Sequence, residues 1–206
     1  MFWKNCNLYL ILDAQVCDYQ RLWDVLKIGV NNGVDIVQLR DKLGTSLKAL
    51  EFVQRAQRYL KGRVPLIVND RADLAVVSGA SGVHVGQDDL PITSARRICG
   101  KGALMGVSCQ SLKHLFQAQR DGADYVGFGS VFKTKTKPGR MNMDLGLLSE
   151  VYRRAKLPVF AIGGITCEKV GTLRACGVNR IAVCREVLLS SDPGRTTRGL
   201  KRALIS

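Results

Sequence analysis

Two aspartates stand where they could share a hard cation. Asn69-Asp70 closes one apolar run, and Gly86-Gln87-Asp88-Asp89 follows the next. Magnesium takes one or two carboxylates and completes its shell with substrate phosphates and water. Asp70 and Asp89 are therefore the candidate metal ligands. Upstream, Gln38, Arg40 and Lys42 alternate along the chain. At strand spacing Gln38 and Arg40 share a face, and Lys42 continues that row into a loop. An amide beside two cations suits a pyrophosphate, with Arg gripping oxygens as a fork and Lys acting as a point charge. Each has a plainer reading. Asp70 could cap a helix from Arg71, Asp88 or Asp89 could cap one at Pro91, and the charges near Asp41 could be solvated loop charges.

A second group lies downstream. The stretch Asp124–Lys137 is an apolar strand that ends in glycines and opens into a loop carrying Thr134, Thr136, Lys133, Lys135 and Lys137. Ser108 ends another apolar run and could donate to a phosphate or a ring nitrogen, or cap a helix. Gly163-Gly164 precedes a helical segment, and two glycines there expose backbone N–H groups to an anion or simply make a tight turn. Cys184-Arg185 ends the last apolar run. His84 alternates with Val83 and Val85 and reads as a satisfied core histidine, while His114 falls on a surface helix. No Ser/His/Asp or Cys/His set is legible, which argues against hydrolysis by a covalent nucleophile.

The elements that must position these groups alternate throughout. Strands are expected over Leu8–Asp13, Val34–Arg40, Pro65–Asn69, Gly82–Val85, Ala103–Ser108, Asp124–Phe128, Pro158–Ile162 and Arg180–Val183. Helices are expected over Asp18–Asn32, Ser46–Lys61, a short stretch from Arg71, Pro91–Cys99, Ser111–Arg120, Leu145–Ala155 and Cys167–Ala175, with helical material closing the chain. Leu22, Val25, Leu26 and Gly29 share one face of the first helix; Ala49, Val53, Ala56 and Leu60 share one face of the second. Eight strand-then-helix units predict an α/β fold, a single-domain (β/α)8 TIM barrel over residues 1–206, in preference to an open doubly wound sheet. In such barrels the site lies at the C-terminal strand ends, where the groups named above fall, the two histidines excepted. The loops after strands seven and eight are the usual phosphate site.

The chain has 206 residues, 46% of them hydrophobic. No apolar run approaches the ~20 residues of a membrane span. The apolar N-terminus reads as a strand rather than a signal peptide, because no small-residue cleavage site follows. The formal charge is +14, from 31 Lys+Arg against 17 Asp+Glu. Those basic residues are spread along the chain, and aromatics are only 6%. That fits small polyanionic substrates better than nucleic acid, which wants a clustered basic face with stacking aromatics. Seven cysteines, never as CxxC, suggest reduced thiols in a cytoplasmic protein without a zinc site or a disulfide framework.

Six motifs in order, QLRDK at Gln38–Lys42, VNDRADLA at Val68–Ala75, GVHVGQDDLP at Gly82–Pro91, GVS at Gly106–Ser108, DYVGFGSVFKTKTK and AIGGI at Ala161–Ile165, resemble the thiamine-phosphate synthase family. The resemblance implies a magnesium-dependent transferase of thiamine biosynthesis that joins hydroxymethylpyrimidine diphosphate to hydroxyethylthiazole phosphate and releases pyrophosphate. It implies that the pyrimidine carbon–oxygen bond breaks first. By match of motif, Gln38, Arg40, Lys42, Asn69, Ser108 and Lys137 would hold the diphosphate substrate, and Leu39 and Asp41 would be substrate-binding residues beside them. Asp70 and Asp89 would hold Mg2+. Thr134, Thr136, Gly164, Cys184 and Arg185 would hold the thiazole phosphate, and Lys135 would be a further substrate-binding residue. Lys137, Arg40 and Ser108 would act in catalysis.

The chain departs from the pattern at three positions. Lys133 replaces a usual Pro, Gln110 a common His without catalytic weight, and Arg185 a small residue, usually Ser. A thiazole tautomerase-like isomerase shares the barrel but lacks the full magnesium and diphosphate set, which this chain has. A basic nucleic-acid-binding protein is the non-enzymatic alternative. The expected partners are small molecules, with no nucleic acid and no membrane; a homo-oligomer is compatible with the pattern.

Overall fold

The computed structural model describes residues 2–133 and 143–205. Among them, eight parallel strands pair in sequence order and close on themselves. The strands are β1 (Leu8–Asp13), β2 (Ile36–Arg40), β3 (Leu66–Asn69), β4 (Gly82–Val85), β5 (Leu104–Cys109), β6 (Tyr125–Phe128), β7 (Val159–Ile162) and β8 (Ile181–Val183). Around them lie α1 (Tyr19–Asn31), α2 (Ser46–Leu60), α3 (Ala72–Ser78), α4 (Ile92–Cys99), α5 (Leu112–Arg120), α6 (Leu145–Arg154), α7 (Val170–Ala175), α8 (Arg185–Leu188) and α9 (Pro193–Ile205). The closing pair sets Leu8 opposite Ile181. The expected barrel is thus observed.

Local chemistry accounts for the elements. Asp18 accepts from the Arg21 amide at 2.8 Å and starts α1; Thr45 and Ser111 cap α2 and α5 in the same way. Gly33, at φ 103°, turns the chain out of α1 as an L side chain could not easily do. The buried face of α1 is Leu22, Trp23, Val25, Leu26 and Gly29. Several bounds move by one or two residues, as β2 does from Val34 to Ile36, and two helix starts differ in kind. Pro91 takes extended ψ at the cap position, so α4 begins at Ile92. The segment expected as one helix over Cys167–Ala175 begins as a 3-10 turn, Cys167–Lys169, and becomes α-helical from Val170, because Thr166 supplies no capping bond.

Two apolar layers result. One lies between sheet and helices and takes Leu10, Leu39, Val68 and Val126 from the strands. The other fills the barrel: Tyr9, Ile36, Ile67, Tyr125 and Phe160, with Trp3 packed beneath. Tyr9 and Phe160 rings meet at 5.4 Å and 77°, and Trp3 and Tyr125 at 5.4 Å. Edge-to-face packing of this kind favours the rings electrostatically. This aromatic plug is the floor on which the site is built.

Candidate active site at the C-terminal strand ends

Above the plug is a cavity of about 320 Å³, lined from every strand, with Gln38, Arg40, Asn69 and Ser108 on one side and Gly163, Gly164 and Arg185 on the other. On the first side, register places Asp13 opposite Arg40. Arg40 Nη1 donates to Asp13 Oδ2 at 2.7 Å and to Gln15 Oε1 at 2.8 Å, so the guanidinium is held in place at the cavity wall. Gln38 is buried and donates to the Tyr9 hydroxyl at 2.6 Å. Asn69 lines the cavity beside them.

Asp70 follows β3 at φ 61°, a left-handed conformation that Asp tolerates better than most residues. Its amide donates to the His84 carbonyl at 2.8 Å. Its carboxylate takes a salt bridge from Lys42 Nζ at 2.8 Å. Burial raises the Asp70 carboxyl above the ordinary aspartate range; Lys42 pulls it down, and the adjacent Asp89 pushes it up. Neither aspartate caps a helix: α3 and α4 start without a side-chain capping bond, and Asp89 instead accepts from the Gly86 amide at 2.8 Å. Two carboxylates facing each other under partial burial are an arrangement a divalent cation relieves. Among the described residues no group of three or more His, Cys, Asp and Glu is arranged to hold a metal ion.

On the far side, Gly163 and Gly164 have φ of 107° and 60°. A Cβ on Gly163 would overlap Ser130, and one on Gly164 would overlap the Lys133 carbonyl. Both positions therefore need glycine, for conformation and for space. Lys169 Nζ donates to the Gly164 carbonyl at 3.0 Å and lies 4.8 Å from the Phe132 ring centre. The Thr166 hydroxyl lines the same wall, buried and without a hydrogen-bond partner among the described residues. Cys184 and Arg185 close this wall. Burial raises the Cys184 thiol to about 12, Asp13 adding to the effect, so it stays a neutral thiol and not a nucleophile.

Some expected site residues lie apart from this cavity. Leu39 points into the layer between sheet and helices. Asp41 shapes the loop before α2 by accepting from Tyr19 OH at 2.7 Å and from the Leu43 and Gly44 amides. Burial pushes its carboxyl up, and those hydrogen bonds outweigh it and hold it low. Lys42 sits at the rim with Asp70. Thr134, Lys135, Thr136 and Lys137 lie outside the described residues. Ser108 does not cap α5, a task Ser111 performs, and instead meets His84 Nε2 at 3.0 Å. His84 is buried, as expected, yet it also lines the cavity. Tyr9, Asp13, Ser130, Thr166 and Lys169 escaped the sequence reading. Two-residue alternation back from Asp13 marks Tyr9 and Asp13 as one face, but the apolar run Leu8–Leu12 hides which face is inside.

The family model for thiamine monophosphate synthase matches residues 8–187, which spans every strand of the barrel. The chain belongs to the thiamine monophosphate synthase family. A thiamine-phosphate synthase from a Synechococcus species is 41% identical over 199 residues, covering 96% of this chain and 56% of that relative. One from Methanobrevibacter smithii is 36% identical over 193 residues, covering 92% and 90%. The chain thus spans little more than half the length of the cyanobacterial relatives it matches. The solved thiamine phosphate pyrophosphorylase of Pyrococcus furiosus superposes with a TM-score of 0.87 at 28% identity, covering 98% of this chain and 96% of that one. Family membership agrees with the resemblance carried by the six motifs. Among the described residues no helix is long and apolar enough to cross a membrane.

Proposed function

We propose that the protein is a magnesium-dependent thiamine-phosphate synthase. It joins 4-amino-2-methyl-5-(diphosphooxymethyl)pyrimidine to 4-methyl-5-(2-phosphooxyethyl)thiazole and releases pyrophosphate. The observation that carries the reading is the Lys42, Asp70 and Asp89 cluster at the rim, next to a cavity walled by Arg40 and Asn69. That half of the mouth has the charges for a metal diphosphate. The opposite half offers backbone at Gly163 and Gly164, the Thr166 hydroxyl and Arg185 to a phosphate monoester.

The chemistry asks for no base. The carbon–oxygen bond breaks with its electron pair leaving on pyrophosphate, and the thiazole nitrogen lone pair forms the new carbon–nitrogen bond. No proton need move, which suits a site without a legible catalytic triad. Magnesium held by Asp70 and Asp89 would neutralise charge developing on the leaving group. Arg40 binds diphosphate oxygens while Asp13 and Gln15 hold its guanidinium in orientation. Gln38, Asn69 and Ser108 hold the pyrimidine end, and the aromatic floor keeps water from below. Lys137, which falls in sequence between β6 and α6, would neutralise charge on the leaving pyrophosphate. The test is pyrophosphate release from the purified protein with both precursors. Release that needs both substrates and stops with a chelator supports the reading; turnover of neither substrate overturns it.

A further inference from the structure

Five side chains cross the cavity floor as one hydrogen-bonded chain. Gln38 Nε2 donates to Tyr9 OH at 2.6 Å. Tyr9 OH and Tyr125 OH lie 2.9 Å apart. Tyr125 OH meets His84 Nδ1 at 3.3 Å, and His84 Nε2 meets Ser108 Oγ at 3.0 Å. The two ends, Gln38 on β2 and Ser108 on β5, are proposed substrate contacts; the three middle members come from β1, β6 and β4. The barrel leaves room for them with glycine: a Cβ on Gly106 would overlap both the Tyr125 ring and the His84 imidazole.

We propose that Tyr9, Tyr125 and His84 are positioning residues that set the hydrogen-bond polarity with which Gln38 and Ser108 meet the substrate ring. This rests on reading the cavity as an aminopyrimidine site.

The polarity follows from counting protons. Burial keeps both phenols protonated, so each hydroxyl has a hydrogen to place. Tyr9 OH already accepts from Gln38, so its own hydrogen must go to Tyr125. Tyr125 then donates to His84 Nδ1, which makes the imidazole the Nε2–H tautomer. Nε2–H donates to Ser108 Oγ, and the serine hydrogen is left to point into the cavity. The reverse order would have Tyr125 donate to Tyr9, stranding a buried hydroxyl hydrogen, an arrangement proteins avoid. At the other end, the Gln38 carbonyl oxygen has no partner among the described residues and faces the cavity as an acceptor. The floor therefore offers an acceptor at one end and a donor at the other. A 4-aminopyrimidine presents the complement, an amino N–H and a ring nitrogen lone pair. The 4-oxo analogue would set oxygen against oxygen at Gln38.

Two measurements test this. The first needs no substrate: ¹⁵N NMR of the imidazoles in the wild-type protein, at a pH well above the usual histidine range. The chain has 2 histidines, so a His114→Gln sample assigns the signals. The expected result is His84 as the Nε2–H tautomer; the Nδ1–H tautomer overturns the proposal. The second is kinetic. Tyr125→Phe removes one hydroxyl and keeps the ring. It should lower kcat/KM for the pyrimidine diphosphate roughly ten- to a hundred-fold, with KM for thiazole phosphate unchanged. His84→Gln, whose amide can still donate to Ser108, should recover part of what His84→Ala loses. Unchanged kinetics in Tyr125→Phe, or equal losses in both His84 variants, overturns the proposal. A wild-type protein inactive on both precursors would defeat the transferase reading, and the tautomer would then judge the hydrogen-bonded chain by itself.

Discussion

Asp13 and Arg40 stand opposite each other at the ends of β1 and β2, and their side chains meet at 2.7 Å with the carboxylate wholly buried. The pair does two jobs. It satisfies a charge that would otherwise be stranded inside the barrel, and it holds a guanidinium at the cavity wall. Losing the cation leaves the first job undone.

Arg40→Ala is therefore expected to destabilise the fold by about 3–5 kcal/mol, the usual penalty for an unpaired buried charge. Asp13→Ala in the same chain should recover much of that stability without recovering turnover. Urea unfolding of the two single variants and the double variant measures the coupling. Additive losses would show that the two side chains do not act as a unit.

Asp70→Asn and Asp89→Asn should separate catalysis from folding. Asn tolerates the left-handed conformation at position 70 and removes a carboxylate whose ionisation the surroundings oppose. The expected melting temperature is equal to or above that of the wild type, while turnover falls by at least about a hundred-fold. Near-normal turnover at limiting magnesium in either variant would remove that aspartate from the ligand set.

The raised Asp70 carboxyl has a pH signature. Its folded pKa lies above its unfolded one. Between the two values the unfolded chain has lost its proton and the folded chain has kept it. Raising the pH from the ordinary aspartate value of about 4 through the folded pKa therefore removes stability from the metal-free protein. A divalent cation needs the ionised pair, so its binding strengthens over the same window. The rise in melting temperature on adding magnesium should accordingly grow as pH increases across it. A magnesium effect independent of pH there would argue against Asp70 as a ligand.

Lys137 is expected to act on the leaving pyrophosphate. Lys137→Ala should depress single-turnover rate roughly a hundred- to a thousand-fold. Affinity for thiazole phosphate should change far less. Lys133→Ala and Lys135→Ala are the controls, and equal small effects at all three positions would count against a particular role for Lys137.

The order of elements was legible in the sequence because it is written locally. Asp18, Thr45 and Ser111 cap helices within three residues of themselves, and the apolar face of α1 repeats within two turns. Gln38 and Arg40 could be placed on one face because strand alternation is local as well, and Asp70 could be placed at a strand end. Tertiary structure decided what those groups touch. Tyr9 reaches Tyr125 across 116 positions of chain, and Arg71 rather than Asp70 takes the cap position of α3. Strands buried on both faces carry no alternation that says which side is inside. For that reason β1, read as LYLILD, concealed the inward face that carries Tyr9 and Asp13. Only barrel closure, which fixes the register of each strand against its neighbours, set Asp13 beside Arg40 and joined Gln38 to Ser108 through the barrel floor.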